Sequence, residues 1–432
     1  MLLLLCSVLP LRGDDTVSFR SQVAPILLEN CVACHNAKKA EGGYRLDSFS
    51  EISQAGDSAT DPLQKMGDLP GELIRRLTSK DEFERMPPES DPLPENQVEL
   101  IRRWIDDGGK FDGEDPAERL PFLIPPPTHP KPPPNYRTPV QVAALAFSPD
   151  SKQVYCGGYH ELLVWDLEGT LVRRIENLGQ QIFDIEFFPD GKQIAVAGGQ
   201  PGKSGEVRIV DSNSGEVLAV VARSTDVIWD VAFRPGLNEL AVACADKSIR
   251  VVNLENLEER LVLQSHADWV TGVFWTPDGN TLVSSSRDKS VKVFDVEKEQ
   301  LLISYKGHKS AVRGLSVSTD GKQVYSVGSD EKLHRWNLSD GKAIKTVALG
   351  GAGFRPIRGA GWVLIPNRDT RLLKIDVAKD IVLKEFKGHS DWVLSAALSP
   401  DQSMIASGSY NGEIRLWNAS DASALKSWKA QP

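Results

Sequence analysis

Two cysteines and a histidine near the N-terminus carry the clearest chemistry in this sequence. Cys31 and Cys34 are separated by two residues, and His35 follows directly. Two thiols at this spacing can reach the two vinyl groups of one porphyrin, and the adjacent imidazole then lies under the iron. Alternative interpretations are a thioredoxin-like redox pair, which needs a βαβ context, and a zinc site, which needs a second ligand pair. Neither context is present, so the motif predicts one haem c attached through Cys31 and Cys34, with His35 as an axial ligand.

The second axial ligand must come from elsewhere in the chain. Met86 follows Cys34 by 52 residues and lies in the loop sequence ERMPP, which two prolines stiffen. A thioether is a soft ligand that raises a haem potential relative to histidine, whereas a loop methionine can also simply fill a gap. Met66 competes from a less rigid loop, and His129 could reach the iron only if its segment folded back. We predict Met86 as the second ligand.

Three short helices are predicted to position these groups. They are Phe19–Asn30, Gly71–Thr78 after a proline, and Glu95–Asp107, which a proline precedes and two glycines follow. Apolar residues recur at helical spacing at Phe19, Val23, Ile26 and Leu27, and again at Val98, Ile101, Trp104 and Ile105. These stripes predict a small helical domain over residues 14–112.

Residues 17–112 resemble a known cytochrome family. The segments VAPILLENCVACHNAKKAEGGYRLDSF, ERMPP and LIRRWIDDGG are similar to the cytochrome c-type domain abundant in planctomycetes and verrucomicrobia, which is often fused to WD40 propellers. The resemblance implies a class I-like cytochrome with Gly42, Gly43 and Arg45 near the haem and with Arg45 pairing a propionate. It also implies export and an extracytoplasmic, periplasmic-type location, because haem c is attached outside the cytoplasm.

Two segments are predicted to lie outside packed domains. Residues 1–13 begin with MLLLLCSVLPL, which resembles the apolar part of an export signal but has no basic start, and the alternative is simply an apolar terminus. Residues 113–139 are predicted to be a linker, because ten of the 24 residues from Pro116 to Pro139 are proline. Such a run favours a stiff polyproline II spacer.

From residue 140 the chain repeats with a period of about 42 residues. Each repeat contains a strand that ends in an aromatic or aliphatic residue followed by Asp or Asn. The seven acidic or amide residues are Asp166, Asp211, Asn253, Asp295, Asn337, Asp376 and Asn418. Their period resembles that of WD40 repeats, which implies a seven-bladed propeller with four strands per blade over residues 140–432. The fold prediction is therefore a multidomain protein, a small all-α cytochrome c domain followed by an all-β propeller.

Residues in three repeats have the composition of a hydrolase triad. Repeat 5 contains His308, Ser326, Asp330 and Trp336; its counterparts are His266, Ser284, Asp288 and Phe294 in repeat 4, and His389, Ser407, Asn411 and Trp417 in repeat 7. A catalytic triad has no reason to recur with the period of the fold. The WD40 resemblance implies that these residues form a structural hydrogen-bond relay in each blade.

Other repeat residues have binding or packing interpretations. Trp269 and Trp392 each follow a histidine by three residues at the entrance of an innermost strand. The WD40 resemblance places this entrance on the face most often used for partners, so each tryptophan is a candidate anchor, the alternative being that it packs on the next blade. Cys156 and Cys244 lie on second strands of blades that are not neighbours, which predicts buried small side chains and no disulfide.

The charge of the chain is concentrated in its first quarter. Residues 14–115 carry 12 basic and 22 acidic residues, a net charge of −10, whereas residues 140–432 carry 34 and 36. An acidic protein lacks the basic surface that nucleic-acid binding requires. No apolar run approaches the ~20 residues of a membrane helix, so the chain is not predicted to be an integral membrane protein.

These features predict an electron-transfer protein with a redox partner protein, in which the propeller docks a protein or extracellular ligand near Trp269 and Trp392. A six-coordinate iron leaves no site for substrate, which argues against an enzyme. The alternatives are a redox enzyme with its active site in the propeller, fed by the cytochrome, and a scaffold in which the haem is structural. The enzyme would need a second cofactor, and the sequence has no second Cys-x-x-Cys-His.

Overall fold

The computed structural model describes residues 16–432 except residues 33, 38, 65–69, 89 and 127. The predicted signal segment, residues 1–13, and Met66 lie outside the described residues. The chain divides into two compact units, one ending at Pro125 and one beginning at Pro126. Within the described part, no helix is both long and apolar enough to span a membrane.

The first unit is a small bundle of short helices. A π-helical turn over Phe19–Val23 leads into the first α-helix, and a 3-10 turn occupies Glu41–Gly43. The α-helices are α1 (Ala24–Asn30), α2 (Phe49–Ile52), α3 (Glu72–Thr78), α4 (Glu95–Asp106) and α5 (Leu120–Leu123). The predicted helices Gly71–Thr78 and Glu95–Asp107 are thus confirmed to within one residue. The predicted helix Phe19–Asn30 differs in its first turn, because Pro25 sits where α1 begins.

The predicted apolar stripes form the core of this unit. Phe19, Leu27, Ile101 and Trp104 are almost fully buried, and the Trp104 indole N–H donates to the Lys110 carbonyl at 2.9 Å. Ile105, the last residue of the predicted stripe, is only partly buried against the same core. The helices are too short to be stable alone, so their stability comes from this shared apolar contact.

The structure differs from the predicted linker over residues 113–139. Leu120 and Leu123 on α5 are buried in the core of the first unit, and the Leu120 N–H donates to the Asp47 carbonyl at 3.0 Å. From residue 126 the chain belongs to the second unit, where the Tyr136 hydroxyl donates to Glu161 at 2.5 Å. Proline-rich composition predicted an unpacked spacer, but the Leu and Tyr side chains between the prolines bury apolar area and tie both ends down.

The second unit is a propeller of seven four-stranded antiparallel sheets, each made of four consecutive strands. In blades 1 to 4 the strands are β1 (Leu145–Phe147), β2 (Gln153–Gly157), β3 (Leu162–Asp166), β4 (Leu171–Ile175), β5 (Gln181–Phe187), β6 (Gln193–Gln200), β7 (Ser204–Asp211), β8 (Val217–Ser224), β9 (Ile228–Phe233), β10 (Glu239–Cys244), β11 (Ile249–Asn253), β12 (Glu258–Leu263), β13 (Val270–Trp275), β14 (Thr281–Ser286), β15 (Val291–Asp295) and β16 (Gln300–Tyr305). In blades 5 to 7 they are β17 (Val312–Val317), β18 (Gln323–Gly328), β19 (Lys332–Asn337), β20 (Ala343–Ala348), β21 (Ile357–Arg358), β22 (Trp362–Pro366), β23 (Arg371–Asp376), β24 (Ile381–Lys387), β25 (Val393–Leu398), β26 (Met404–Ser409), β27 (Glu413–Asn418) and β28 (Ala424–Lys429).

The repeated Asp or Asn residues end the third strand of every blade, as predicted. Six of these side chains accept hydrogen bonds from backbone N–H groups two to four residues ahead, for example Asp166 from Glu168 and Thr170, and Asn418 from Ser420. An Asx turn of this kind reverses the chain toward the fourth strand. The period of about 42 residues in the sequence therefore reflects the turn that follows the third strand of each blade.

The ring closes without exchange of a strand between the first and last blades. The Val142 N–H donates to the Ser409 carbonyl of blade 7 at 3.1 Å, and the Ser395 hydroxyl donates to the Val142 carbonyl at 2.7 Å. Blade 6 is the irregular one, since its innermost strand β21 has two residues. The sequence of this repeat also lacks the Ser-Pro-Asp turn that follows the innermost strand in blade 1, at Ser148-Pro149-Asp150.

An ionic bridge spans the ring from blade 6 to blades 2 and 3. Nη1 of Arg355, just before β21, lies 2.6 Å from Oδ1 of Asp184 on β5 and 2.6 Å from Oδ1 of Asp230 on β9. The second oxygen of each aspartate accepts the N–H of Val231 or Val273 on the innermost strand of the following blade. These carboxylates therefore tie neighbouring inner strands together as well as binding the arginine.

Candidate functional site

The Cys-x-x-Cys-His segment turns back on itself directly after α1. The Cys31 N–H closes the helix on the Leu27 carbonyl at 2.9 Å, and the Cys31 carbonyl then accepts the N–H groups of Cys34 and His35, both at 3.1 Å. Helix and turn thus place the two thiols and the imidazole within one compact segment. Both thiols are free and half-buried.

One nitrogen of His35 is committed to the backbone. Its Nδ1 lies 3.1 Å from the Tyr44 carbonyl oxygen, which can only accept, so Nδ1 carries the proton and Nε2 carries the lone pair. The His35 carbonyl in turn accepts the Leu46 N–H at 2.8 Å. A hydrogen bond to the far nitrogen is the arrangement that orients a metal-ligating histidine.

The two thiols have different surroundings. Cys31 packs against the apolar core, and burial followed by the neighbouring Cys34 raises its pKa to about 12. Cys34 accepts a hydrogen bond from the Lys39 ammonium at 3.5 Å. A thiol with so high a pKa is a poor redox nucleophile, which disfavours the thioredoxin-like interpretation. Two free thiols beside an imidazole with an open Nε2 fit the donor set of a haem c attachment site.

Met86 lies in the loop that follows α3. Its N–H donates to the Arg76 carbonyl at 3.1 Å, and two residues earlier Glu84 binds Arg75 at 2.8 Å. Glu72 on α3 holds both arginines, and hydrogen bonds led by that from Arg75 lower its pKa to about 2. The loop is thus fastened to α3 at Glu84 and at Met86 itself. The role of its thioether as an axial ligand stays a prediction.

Arg45 is bound by two carboxylates of its own unit. Its Nε and Nη2 bind both oxygens of Asp47, at 3.1 and 3.0 Å, and its Nη1 binds Glu51 at 3.1 Å. The contact of Arg45 with a propionate, which the family resemblance implied, stays a prediction.

The relays of blades 4 and 5 have the predicted structural geometry. In blade 5, His308 Nδ1 lies 2.9 Å from Asp330 and Nε2 lies 2.8 Å from the Ser326 hydroxyl, which also accepts the Trp336 indole N–H at 3.2 Å. The serine has no exposed surface, so it cannot attack a substrate. His266 in blade 4 repeats the pattern with Asp288.

Blade 7 departs from the predicted relay in one residue. His389 Nδ1 lies 3.2 Å from Glu413, and Asn411 instead donates to the Ser390 hydroxyl at 2.8 Å. The sequence alignment of repeats placed Asn411 in the carboxylate position. Glu413, two residues further along the chain, takes that position in the structure, because its longer side chain reaches the imidazole of His389.

The two candidate anchor tryptophans lie in aromatic and cationic surroundings. Trp269 is 5.7 Å from Trp229 of the neighbouring blade, and the Arg287 guanidinium lies 3.9 Å above its ring. Trp392 is 5.5 Å from Tyr410, and Arg368 lies 3.8 Å above its ring. Both tryptophans are partly exposed while packing on neighbouring side chains. Their role as anchors for a partner stays a prediction.

Sequence reasoning missed the two stacked arginines. Their signal was present as a repeated tripeptide, Ser286-Arg287-Asp288 and Asn367-Arg368-Asp369, at the same place in blades 4 and 6. Cys156 and Cys244 are buried and free, as predicted, and Cys156 accepts the Trp165 indole N–H at 3.4 Å in place of the relay serine. Burial raises the pKa of Cys156 to about 12.

Comparison with known proteins agrees with this architecture. Residues 31–90 match the family model described as Planctomycete cytochrome C, and residues 257–295, 299–337 and 381–418 match the WD domain, G-beta repeat. The "WD repeat-containing protein WDS homolog" of Arabidopsis thaliana is 25% identical over 117 residues, which are 26% of this chain and 22% of that protein. The mouse "WD repeat and HMG-box DNA-binding protein 1" is 35% identical over 71 residues, 16% of this chain and 6% of that protein. The matched segments thus cover less than a quarter of either relative. The chain joins a domain of the planctomycete cytochrome c family to a seven-bladed propeller of WD40 repeats.

Proposed function

We propose that this protein is a haem c electron carrier whose propeller docks a partner protein. The observation that carries the proposal is His35, whose Nδ1 is held by the Tyr44 carbonyl beside two free thiols. When bound, a haem c would supply reversible one-electron chemistry. Cys31 and Cys34 would hold it covalently, and His35 Nε2 and Met86 would be its axial ligands.

This ligand set supports electron transfer rather than catalysis. A histidine and a methionine together fill both axial positions, so substrate would have no open coordination site. The triad-like residues of the propeller do not offer a second active site, because their serine hydroxyls are buried and already hydrogen-bonded. We therefore propose that the protein is not an enzyme.

The propeller supports the docking role through Trp269 and Trp392. Each ring is partly exposed and is covered on one side by an arginine that is itself exposed. Tryptophan and arginine are the residue types most often found at interaction hot spots. The proposed location is extracytoplasmic and of periplasmic type, where haem c is attached.

The haem assignment is tested by the visible spectrum of the full chain produced with haem c maturation. We expect one covalently bound haem per chain and a low-spin spectrum that is reversibly reduced by one electron. Cys31→Ala combined with Cys34→Ala should abolish covalent attachment, whereas Cys156→Ala, in the propeller, should leave it intact. Covalent haem in the double variant would contradict the proposal.

The docking role is tested by affinity capture from an extracytoplasmic extract with the full chain as bait. We expect Trp269→Ala combined with Trp392→Ala to lose at least tenfold of a partner that the unsubstituted chain retains. Trp362→Ala is the control, since Trp362 is also half-buried and contacts a cation, Lys374, but begins the second strand of blade 6, away from the inner-strand entrances. Equal capture by all three chains would show that the tryptophan face is not the docking surface.

A further inference from the structure

Blade 5 contains a second buried histidine beside its relay. His334 lies on β19 opposite Ser326, the position that Lys292 occupies in blade 4 and Arg415 in blade 7. In those blades the residue is a cation that binds Ser265 or Glu413. In blade 5 it is an imidazole facing the carboxylate that His308 already contacts.

Three donor groups converge at this point. His308 Nδ1 and His334 Nε2 lie 2.9 and 3.4 Å from Oδ2 of Asp330, and all three ligand atoms lie within 4.8 Å of one another. The side chains of His308, Asp330 and His334 are 0%, 5% and 8% exposed. Among the residues that the structure describes, this is the only such group of three His, Cys, Asp or Glu donors.

The far nitrogen of each imidazole is held by a hydroxyl group. His334 Nδ1 lies 2.8 Å from the Tyr305 hydroxyl, and the Tyr305 ring stacks on Trp336 with 4.6 Å between centroids. His308 Nε2 lies 2.8 Å from the Ser326 hydroxyl. Outer hydrogen bonds of this kind fix the orientation of histidines that bind metal ions.

Two atoms of the cluster are buried without a hydrogen bond. Within the described part of the chain, neither His334 Nε2 nor Oδ1 of Asp330 has a partner of good geometry. An unsatisfied buried polar atom destabilises the fold, so a site with two of them requires an explanation. A cation between the imidazole nitrogen and the carboxylate would satisfy His334 Nε2, and a carboxylate that binds the cation through both oxygens would also satisfy Oδ1 of Asp330.

We propose that blade 5 binds one divalent transition-metal ion of the zinc class through His308 Nδ1, Asp330 and His334 Nε2. Two imidazoles and one carboxylate form a borderline donor set that suits zinc. Metal–ligand bonds of about 2.0–2.1 Å in a tetrahedral site separate two ligand atoms by about 3.4 Å. This is the distance between His334 Nε2 and Oδ2 of Asp330. The distance from His308 Nδ1 to Oδ2 of Asp330, now 2.9 Å, would increase by about 0.5 Å. His308 would then carry its proton on Nε2, toward the Ser326 hydroxyl.

The test uses the full haem-loaded chain, stripped with a chelator and dialysed against zinc. We expect the unsubstituted chain to retain one more equivalent of zinc than His334→Lys and to show a zinc-dependent rise in unfolding temperature that this variant lacks. The lysine variant should fold, because lysine occupies the same position in blade 4. His266→Gln, which alters the blade 4 relay, should retain all of its zinc.

The site can also be located directly. Crystals of the full chain soaked in zinc should give an anomalous peak at the zinc edge between the two imidazoles of blade 5. His334→Gln provides a smaller change if the lysine variant unfolds. Equal zinc content in the unsubstituted chain and both His334 variants, or an anomalous map without a peak in blade 5, would overturn the proposal.

Discussion

At the scale of single residues, the proposed haem site depends on which atom of each side chain is already engaged. His35 offers Nε2 because Nδ1 is bound to the Tyr44 carbonyl. Arg45 directs three of its five N–H donors to Asp47 and Glu51. The motif in the sequence predicted His35 as a ligand. Which nitrogen is bound to the backbone, and which carboxylates hold Arg45, required the structure, since residue type does not reveal a local contact.

Met86→Ala should remove the second axial ligand while leaving the haem attached. We expect the methionine–iron charge-transfer band at the red edge of the oxidised spectrum to disappear and the midpoint potential to fall, because water or a nitrogen ligand stabilises the ferric state more than a thioether does. Visible spectra and a redox titration measure both effects.

Met66→Ala is the control for this substitution, as Met66 was the competing methionine in the sequence. It should keep the band and the potential. A band that survives in Met86→Ala and is lost in Met66→Ala would show that the assignment of the ligand is wrong.

At the scale of elements, turns were easier to predict from the sequence than long-range contacts. The seven third strands end at the predicted Asp and Asn residues, and six of these side chains accept the N–H groups of their own turns. Glu413 was not predicted as the relay carboxylate, since its contact with His389 depends on the register of β26 and β27. The helix α5 was not predicted either, because its apolar residues lie in a proline-rich segment that favoured a linker.

Glu72→Gln should loosen the connection between α3 and the Met86 loop. The folded pKa of Glu72, about 2, is below its ordinary value of 4.5, so its stabilising contribution is present above pH 4.5 and is lost as pH falls toward 2. Because Arg75 and Arg76 are more than one-third exposed, we expect a loss of only about 1 kcal/mol at pH 7.

Chemical unfolding of the first unit, followed by the haem spectrum at pH 7 and at pH 3, measures this effect. The difference in the free energy of unfolding between the unsubstituted chain and Glu72→Gln should be smaller at pH 3 than at pH 7. Glu99→Gln is the control, because its 3.4 Å contact with Arg102 lies on an exposed face of α4. A difference that is the same at both pH values would show that ionised Glu72 does not fasten the loop.

His389→Gln should reduce the acid sensitivity of the propeller. Burial lowers the pKa of His389 from its ordinary 6.5 to about 4, so the unfolded chain binds more protons between these values and stability falls as pH decreases from 6.5 to 4. Glutamine cannot be protonated there, so the slope of the unfolding free energy against pH should be smaller.

Urea unfolding monitored by tryptophan fluorescence between pH 7 and 4 tests this slope, since nine of the ten tryptophans lie in the propeller. The variant will be less stable than the unsubstituted chain at pH 7, because it weakens a buried relay. Parallel curves of stability against pH for the two chains would show that His389 does not contribute to the acid sensitivity.

At the scale of the whole molecule, the two units differ in what their charges do. Residues 14–115 carry a net charge of −10, against −2 for residues 140–432, so steering of the proposed basic redox partner would belong to the first unit and would weaken with salt. The propeller is nearly neutral in sum but places an arginine and two aspartates across its ring. Composition predicted the first property, whereas the second depends on ring closure, which brings residues 171 positions apart into contact.

Arg355→Met should destabilise the propeller as a whole, because Asp184 and Asp230 would lose their shared cation while still binding inner-strand N–H groups. Breaking a fully buried ion pair costs about 3–5 kcal/mol; since the Arg355 side chain is 38% exposed, we expect about 2 kcal/mol. Urea unfolding by tryptophan fluorescence at pH 7 measures the loss.

Adding Asp184→Asn and Asp230→Asn to Arg355→Met should recover part of the lost stability, because neutral amides no longer repel each other. Lys345→Met on the exposed strand β20 should change nothing. If Arg355→Met were as stable as this control, the bridge would not hold the ring together, and the hydrogen bonds between neighbouring inner strands would have to suffice.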